Sequence, residues 1–281
     1  VAADLMSVAV HLDTALPGMC VLRLWSWDTT RRQPTWSDSP VFEPGAPVEI
    51  RMGYVGAVRT VFVGEITDIE LELGSDEPPT VTVRCYDLRH RLMRGQQSRT
   101  FVEMADSAIA RQIATEHGMR AVVVQTKVTF EHVLQRNQTD LDFLRARAEP
   151  IGYEVVVEDR DLCFRPRHRP RVVRAVLTPE DLIDFRTRLT TMGQTGALVV
   201  QGRSTADPSR QIQARKGGGA VRDDPLQAGY RIGTTTTIRP IADAAEANAV
   251  AAGLGDRVNP WRIDGSGSCI GRNDLRAGDA L

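Results

Sequence analysis

A chain of 281 residues and 31.0 kDa, 42% of it hydrophobic, is long enough for one large domain or two to three small ones with real cores. A formal net charge of -1 with 25% charged residues excludes binding to nucleic acid or anionic membrane by bulk charge. No apolar run approaches the roughly 20 residues of a membrane span, and VAADLMSVAVHLD has neither the basic flank nor the long apolar core of a signal peptide, so a soluble, cytoplasmic protein is expected.

From Met6 to about Gly95 the sequence reads as strand after strand: SVAVHLD, MCVLRLWSWD, APVEIRM, TVFVGEITDIELEL and TVTVRCYDL. Alternation and β-branched residues support each of them. Turn chemistry joins them at LPG (16–18), EPGAP (43–47) and GSDEPP (74–79), which suits antiparallel neighbours in a meander, sandwich or barrel. Gly64 interrupts the longest strand, where glycine marks a bulge or the bend that curls a sheet.

Between Thr100 and about Pro170 the period changes. MADSAIARQIATEHG predicts a helix with Asp106 as N-cap, Ile109 and Ile113 on one face and Gly118 as the stop. TDLDFLRARAEPIG predicts a second, in which Thr139 and Asp142 resemble a capping box, Leu141, Leu144 and Ala148 line one face, and Pro150 with Gly152 ends the run. YEVVVEDRDLCFRP then predicts two short strands turning at Asp159 and Arg160, which completes a small α+β module whose helices bury apolar faces against that hairpin.

After Val176 the strands resume as LIDFRTRLTT, ALVVQGRS, RQIQARK and YRIGTTTTIRP, followed by one Ala-rich helix, DAAEANAVAAGLG, and a last strand, WRIDGSGSCIG. The order places domains at 1–95, 96–175 and 176–281, and the similar strand density of the outer two suggests a duplicated fold. Because the chain opens on Val1 and closes on the strand-like LRAGDAL, it reads as part of something longer.

Candidate chemistry is sparse. Cys20, Cys85, Cys163 and Cys269 form no CxxC pair and read as reduced core residues; His11, His90, His117, His132 and His168 lack metal-ligand spacing, so neither metal nor cofactor is expected. The acidic pairs Asp140 with Asp142, Asp159 with Asp161 and Asp223 with Asp224 fall at caps, turns or loops rather than in a catalytic constellation. GSGSCIG and KGGG (216–219) lack the continuation of a phosphate cradle and read as loop or linker glycines. One charge cluster stands out in RPRHRPRVVR: Arg165, Arg167, Arg169, Arg171 and Arg174 beside His168. It could grip phosphates, but two prolines and no interleaved aromatics favour a solvated inter-domain strap, as open to an acidic protein surface as to a polynucleotide.

Three stretches, in order, resemble a known family. VFVGEITDIELEL with VTVRCYDLRHRLMRG is similar to an F-x-G-x-I strand pair and a D-x-x-H-x-L ending, through Phe62, Gly64, Ile66, Asp87, His90 and Leu92. HVLQRNQTDLDFLRARAEPIGYEVVVEDRDLCFRP is similar to Q-x-N-x-S/T-D-x-x-F-L and a glycine-aromatic hairpin, through Gln135, Asn137, Thr139, Asp140, Phe143, Leu144, Gly152 and Tyr153. GSGSCIGRNDLRAGDAL is similar to G-x-G-x-x-G-x-x-x-L-x-x-G, through Gly265, Gly267, Gly271, Leu275 and Gly278.

Together they resemble the phage late control protein D family, the baseplate hub and spike-base proteins of contractile tails, type VI spikes of the VgrG group and extracellular injection systems. The resemblance implies a mainly β fold, two tail-tube-like antiparallel β-barrel domains flanking a small helix-hairpin insert, with the second barrel incomplete at its C-terminal end. It also implies a homotrimer whose barrels make a pseudo-six-fold ring. Expected partners are the inner tube protein, baseplate proteins and a spike tip or β-helical needle, with no nucleic acid, no membrane in the resting state and no enzymatic activity. Assembly is expected in the cytoplasm, within a particle later released or kept at the cell. The alternatives are a cell-wall hydrolase or effector-carrying spike subunit, and a nucleic-acid-binding module using the arginine strap.

Overall fold

The computed structural model describes residues 1, 3–36, 39–74, 78–167, 173–190, 197–204, 207, 209–217, 234–238, 241, 243–255 and 262–281. The alternating first segment folds as expected into β1 (Leu5–His11), β2 (Met19–Trp25), β3 (Pro47–Tyr54), β4 (Ala57–Glu72) and β5 (Thr80–Tyr86). They pair antiparallel in the order β1-β2-β5-β4-β3, and the sheet curls into a half-barrel around Cys20, Leu22, Leu24, Phe62, Ile66, Val81, Val83 and Cys85.

The curl comes from β4. Its first half pairs with β3 and its second half with β5, and Val61 and Thr67 are the extra residues of two bulges, one against each neighbour. Each bulge adds local twist, so a single 16-residue strand can serve both ends of a bent sheet. Gly64 lies between the bulges rather than in one. What demands glycine there is proximity, since a Cβ would collide with the Tyr86 carbonyl and lie 2.6 Å from Phe62 Cζ.

The middle segment comprises β6 (Gln97–Ala105), α1 (Asp106–Glu116), β7 (Arg120–Val123), β8 (Thr129–Gln138), α2 (Asp140–Ala148), β9 (Tyr153–Glu158) and β10 (Asp161–Pro166), with a 3-10 turn over Leu88–Met93. Both helices and the β9–β10 hairpin match the sequence expectation, and Asp159 takes the left-handed φ of 53° at the turn. Ile109, Ile113, Leu141, Leu144 and Ala148 pack with Val155, Val157, Leu162 and Phe164 in one core.

Two corrections follow. Asp106 is not the cap of α1; Ala105 holds that position without a side-chain bond, and Asp106 is the first helical residue, where its carboxylate faces Arg147 Nε at 2.6 Å. The module also contains three strands beyond the expected hairpin: β6 pairs antiparallel with β8, and β7 lies parallel to β10.

In the last segment, β11 (Leu182–Thr190) pairs antiparallel with β15 (Arg262–Cys269). A second sheet has the order β13-β12-β14, from Gln211–Gly217, Ala197–Arg203 and Thr234–Ile238, with β14 running parallel to β12. Helix α3 (Ala244–Gly255) packs Ala247, Val250 and Ala251 onto Leu198, Val200, Ile212 and Ala214 of that sheet. Gly265 and Gly267 of GSGSCIG are therefore strand residues of β15, not a loop, and Gly271 lies beyond the strand, whereas Gly218 and Gly219 of KGGG lie outside the described residues. The LRAGDAL end is a turn instead of a strand: Asp279 accepts the Arg276 N–H at 2.8 Å and donates its own N–H to the Arg276 carbonyl, which folds the backbone back on itself. Among the described residues no helix is long and apolar enough to cross a membrane.

Candidate functional site

The D-x-x-H-x-L residues form a joint between the half-barrel and the middle segment. Asp87 caps the 3-10 turn by accepting the Arg89 N–H at 2.9 Å, and its other oxygen accepts the Gly18 N–H at 2.6 Å, which ties the β1–β2 loop to the turn. Buried His90 places Nε2 3.2 Å from Glu65 of β4, and Arg91 binds the same carboxylate. Burial, with the Arg94 and Arg91 charges, holds the imidazole below its ordinary value against the opposing pull of Glu65. Leu92 is fully buried, and it packs with the middle core although it precedes residue 95.

The Q-x-N-x-T-D-x-x-F-L residues divide into a polar clamp, a bulge and a core. Gln135 is wholly buried and donates to Asp140 Oδ1 at 2.8 Å. Arg99 of β6 donates to both of them, at 2.9 Å and 2.7 Å, and to Glu116 at 2.5 Å. His117, just past α1, meets the second oxygen of Asp140 at 2.8 Å. Burial alone would raise the Asp140 carboxyl, but the bonds from His117 and Gln135 and the Arg99 charge outweigh it and bring it below the usual carboxylate range. Asn137 takes a left-handed φ of 48° beside the register shift between β6 and β8, a conformation asparagine tolerates better than most residues. Thr139 caps α2 by accepting the Asp142 N–H at 3.1 Å, and its hydroxyl donates to the Asp142 carboxylate at 2.7 Å. Phe143 stacks on Phe101 of β6 with ring centroids 5.6 Å apart, and Leu144 fills the core beside it.

The clamp was invisible as chemistry in the sequence, because Asp140 and Asp142 look like a local pair at a helix start. In the fold they part: Asp142 serves the cap, and Asp140 points inward to join β6, β8, α1 and α2. Every charged member has a partner, so the cluster has the character of a structural keystone. Asp161 of the second acidic pair binds Arg120, and Asp223 with Asp224 lies outside the described residues.

Gly152 ends the helical run at φ 71°, and it has a second task that the sequence did not reveal. Gly253 of α3 approaches so closely that a Cβ on Gly152 would lie 2.9 Å from the Gly253 Cα, and one on Gly253 would lie 2.6 Å from the Ile151 carbonyl carbon. Tyr153 sets its ring 5.2 Å from that of Phe164. Gly265 and Gly267 run beneath Phe185 of β11, where a Cβ on Gly267 would lie 2.9 Å from the ring. Gly271 accepts a hydrogen bond from the Tyr54 hydroxyl at 3.4 Å.

The arginine strap is only partly a strap. Arg165 belongs to β10, where Glu154 and Glu158 bind it at 3.0 Å and 2.5 Å, so it is neither extended into solvent nor free for phosphate. Arg174 is drawn back to the closing turn through the Asp274 carbonyl and a backbone bond to Ala280. Arg167 lines a cavity, and His168, Arg169 and Arg171 lie outside the described residues.

That cavity, of about 1030 Å³, was not legible in the sequence, because seven separate stretches contribute to it. Its wall includes Asp13 of the β1–β2 loop, Val61–Val63 of β4, Arg89, Arg145 of α2, the whole run from Tyr153 to Asp159, and Arg276.

Residues 2–218 match the family described as the Alg8 N-terminal domain. The chain belongs to that family. The Alg8 N-terminal domain description names a module and no reaction, and no curated protein matches the sequence. Among solved structures, the chain is similar to the 43 kDa tail protein of prophage MuSo2 from Shewanella oneidensis, with a TM-score of 0.62 at 14% identity over 89% of this chain and 73% of that one. It is similar also to a tail protein from Neisseria meningitidis MC58, with a TM-score of 0.54 at 10% identity over 88% and 69%. Prophage tail protein gp18 from Listeria monocytogenes EGD-e gives 0.53 at 10% identity over 93% and 75%. At such identities the likeness establishes the fold, which this member of the Alg8 N-terminal domain family shares with all three.

Proposed function

We propose that the protein is a structural component of a contractile injection machine, of the late control protein D type. In this reading three copies form the hub that joins a hexameric inner tube to a three-fold spike, and surface complementarity and ring closure do the work without an enzymatic step. The observation that carries the reading is the shared fold with the MuSo2 tail protein across 89% of the chain. The β11–β15 ribbon supports it further. Phe185 and Leu189, on one face of β11, are 59% and 53% exposed, and Ile183, at the bulge just before them, is 71% exposed. Among the described residues the ribbon has two strands and no core beneath it; such a ribbon is marginal alone, and a neighbouring subunit would supply the missing layer.

Mass photometry tests the proposal. A trimer that binds the inner tube protein is the expected result, with Phe185→Glu shifting the population to monomer while the circular dichroism spectrum is unchanged. A monomer that associates with neither itself nor tube protein would sink it.

A further inference from the structure

The outer half of the β3–β4 hairpin has little beneath it. Beyond the bulge at Val61 only four strand pairs remain, from Arg51 with Thr60 to Tyr54 with Ala57. The half-barrel core ends at Ile50 on one strand and Phe62 on the other, and between them every residue except the half-buried Met52, Thr60 and Val61 is exposed. A two-stranded hairpin without a core is marginal in water. Among the described residues, the hydrogen bonds that reach this half from outside the hairpin come from one stretch, Gly271–Arg276. Asn273 donates its side-chain amide to the Met52 carbonyl at 3.0 Å and to the Ala57 carbonyl, Arg276 donates to the Thr60 carbonyl, and the Tyr54 hydroxyl donates to the Gly271 carbonyl at 3.4 Å. All four contacts fall on the tip side of the bulge. Gly53 provides the seat, because a Cβ there would collide with Asn273 Nδ2 and with the Ala57 carbonyl oxygen.

That stretch is pinned at both ends and open between them. The Ile270 N–H donates to the Asp181 carbonyl at 3.3 Å, and the Ala280 carbonyl accepts the Arg174 N–H at 2.8 Å. From Gly271 to Asp279 no residue is buried, and none belongs to a core cluster. Its shape is set internally: Arg272 binds Asp274 at 3.0 Å and 2.8 Å, and the Arg276 N–H donates to Asp279 at 2.8 Å. Its grip on the hairpin is polar and largely exposed, so water competes for every bond in it. Segments held in this way open at a small fraction of the global unfolding free energy. The bulge at Val61 lies between the held half and the half anchored in the core, which is where a hinge would act.

We propose that Gly271–Asp279 is a releasable strap. Docked, it fixes the direction in which the hairpin presents its exposed tip residues Tyr54, Val55 and Val58. Detached, it lets the tip half turn about the Val61 bulge, and strap and tip open as one unit. The proposal stands apart from the oligomeric role above, because both segments belong to one chain and the readout is local to them. Hydrogen exchange on the full chain, resolved to single residues by mass spectrometry, tests it. In the double variant Asn273→Ala with Arg276→Met, amides across Arg51–Thr60 should exchange roughly tenfold faster or more, since three hydrogen bonds are lost, while amides of β2 and β5 keep their rates. Gly53→Ala alters the hairpin alone. It should in return speed exchange at the Arg276 and Asp279 amides of the strap, as a shared opening requires. Unchanged exchange at Arg51–Thr60 in the double variant, an acceleration that β2 and β5 share, or strap amides indifferent to Gly53→Ala would each overturn the proposal.

Discussion

Asp140 answers three groups at once, Gln135, Arg99 and His117, and its removal should be felt at all of them. Asp140→Asn leaves Arg99 and His117 short of a charge in a buried setting, and a loss of about 3 kcal/mol is expected, read from urea denaturation. Asn137 makes a contrasting case two positions past Gln135. Its backbone conformation is what matters, so Asn137→Gly should be nearly neutral, while Asn137→Val should cost about 1–2 kcal/mol. His90 adds a pH dependence. Its folded-state value lies below 6.5, so the unfolded chain takes up the proton first as pH falls. Stability present above about pH 6.5 is then lost as pH drops through that value, and the loss ends once the folded-state value is passed. A urea midpoint that falls between about pH 7.5 and about pH 5.5, with a smaller fall in His90→Gln, is the expected outcome.

At the scale of elements, the glycine pair Gly152 and Gly253 sets how closely α3 approaches the middle segment. Gly253→Ala places a methyl against the backbone of residues 150–152, and overpacking of this kind costs about 1–3 kcal/mol. Hydrogen exchange should then show faster opening of α3 than of α1. The contrast between what was legible and what was not follows from locality. Helices α1 and α2 and the β9–β10 hairpin announce themselves because cap, apolar face and turn lie within about a dozen residues of one another. Strands β6 and β8 do not, because β8 buries only Val133 and Gln135 in ten residues, and one of those two is a polar side chain that turns to Arg99 and Asp140 rather than to solvent. Gly253 gave no signal either, since nothing near it in sequence shows that Gly152 will be its neighbour. The motif around Gln135 was recognisable as a pattern, but its physical meaning needed Arg99 and His117, which lie outside it.

On the scale of the whole molecule, the exposed face of β11 carries the main prediction. Leu189→Glu should weaken the proposed self-association as Phe185→Glu does, whereas Arg186→Glu on the opposite face should leave it intact, which sedimentation velocity can distinguish. The closing turn matters in a different way. Asn273 donates to the Met52 carbonyl across 221 positions, and Arg276 reaches the Thr60 carbonyl across 216, so the tip of the β3–β4 hairpin is secured by residues near the far end of the chain. Contacts of such separation demand that a long loop close before they return any stabilisation, and they form late. During synthesis the half-barrel must therefore wait, its hairpin tip unsecured, until more than two hundred further residues have left the ribosome, which makes that tip the place where a nascent chain would first meet a chaperone.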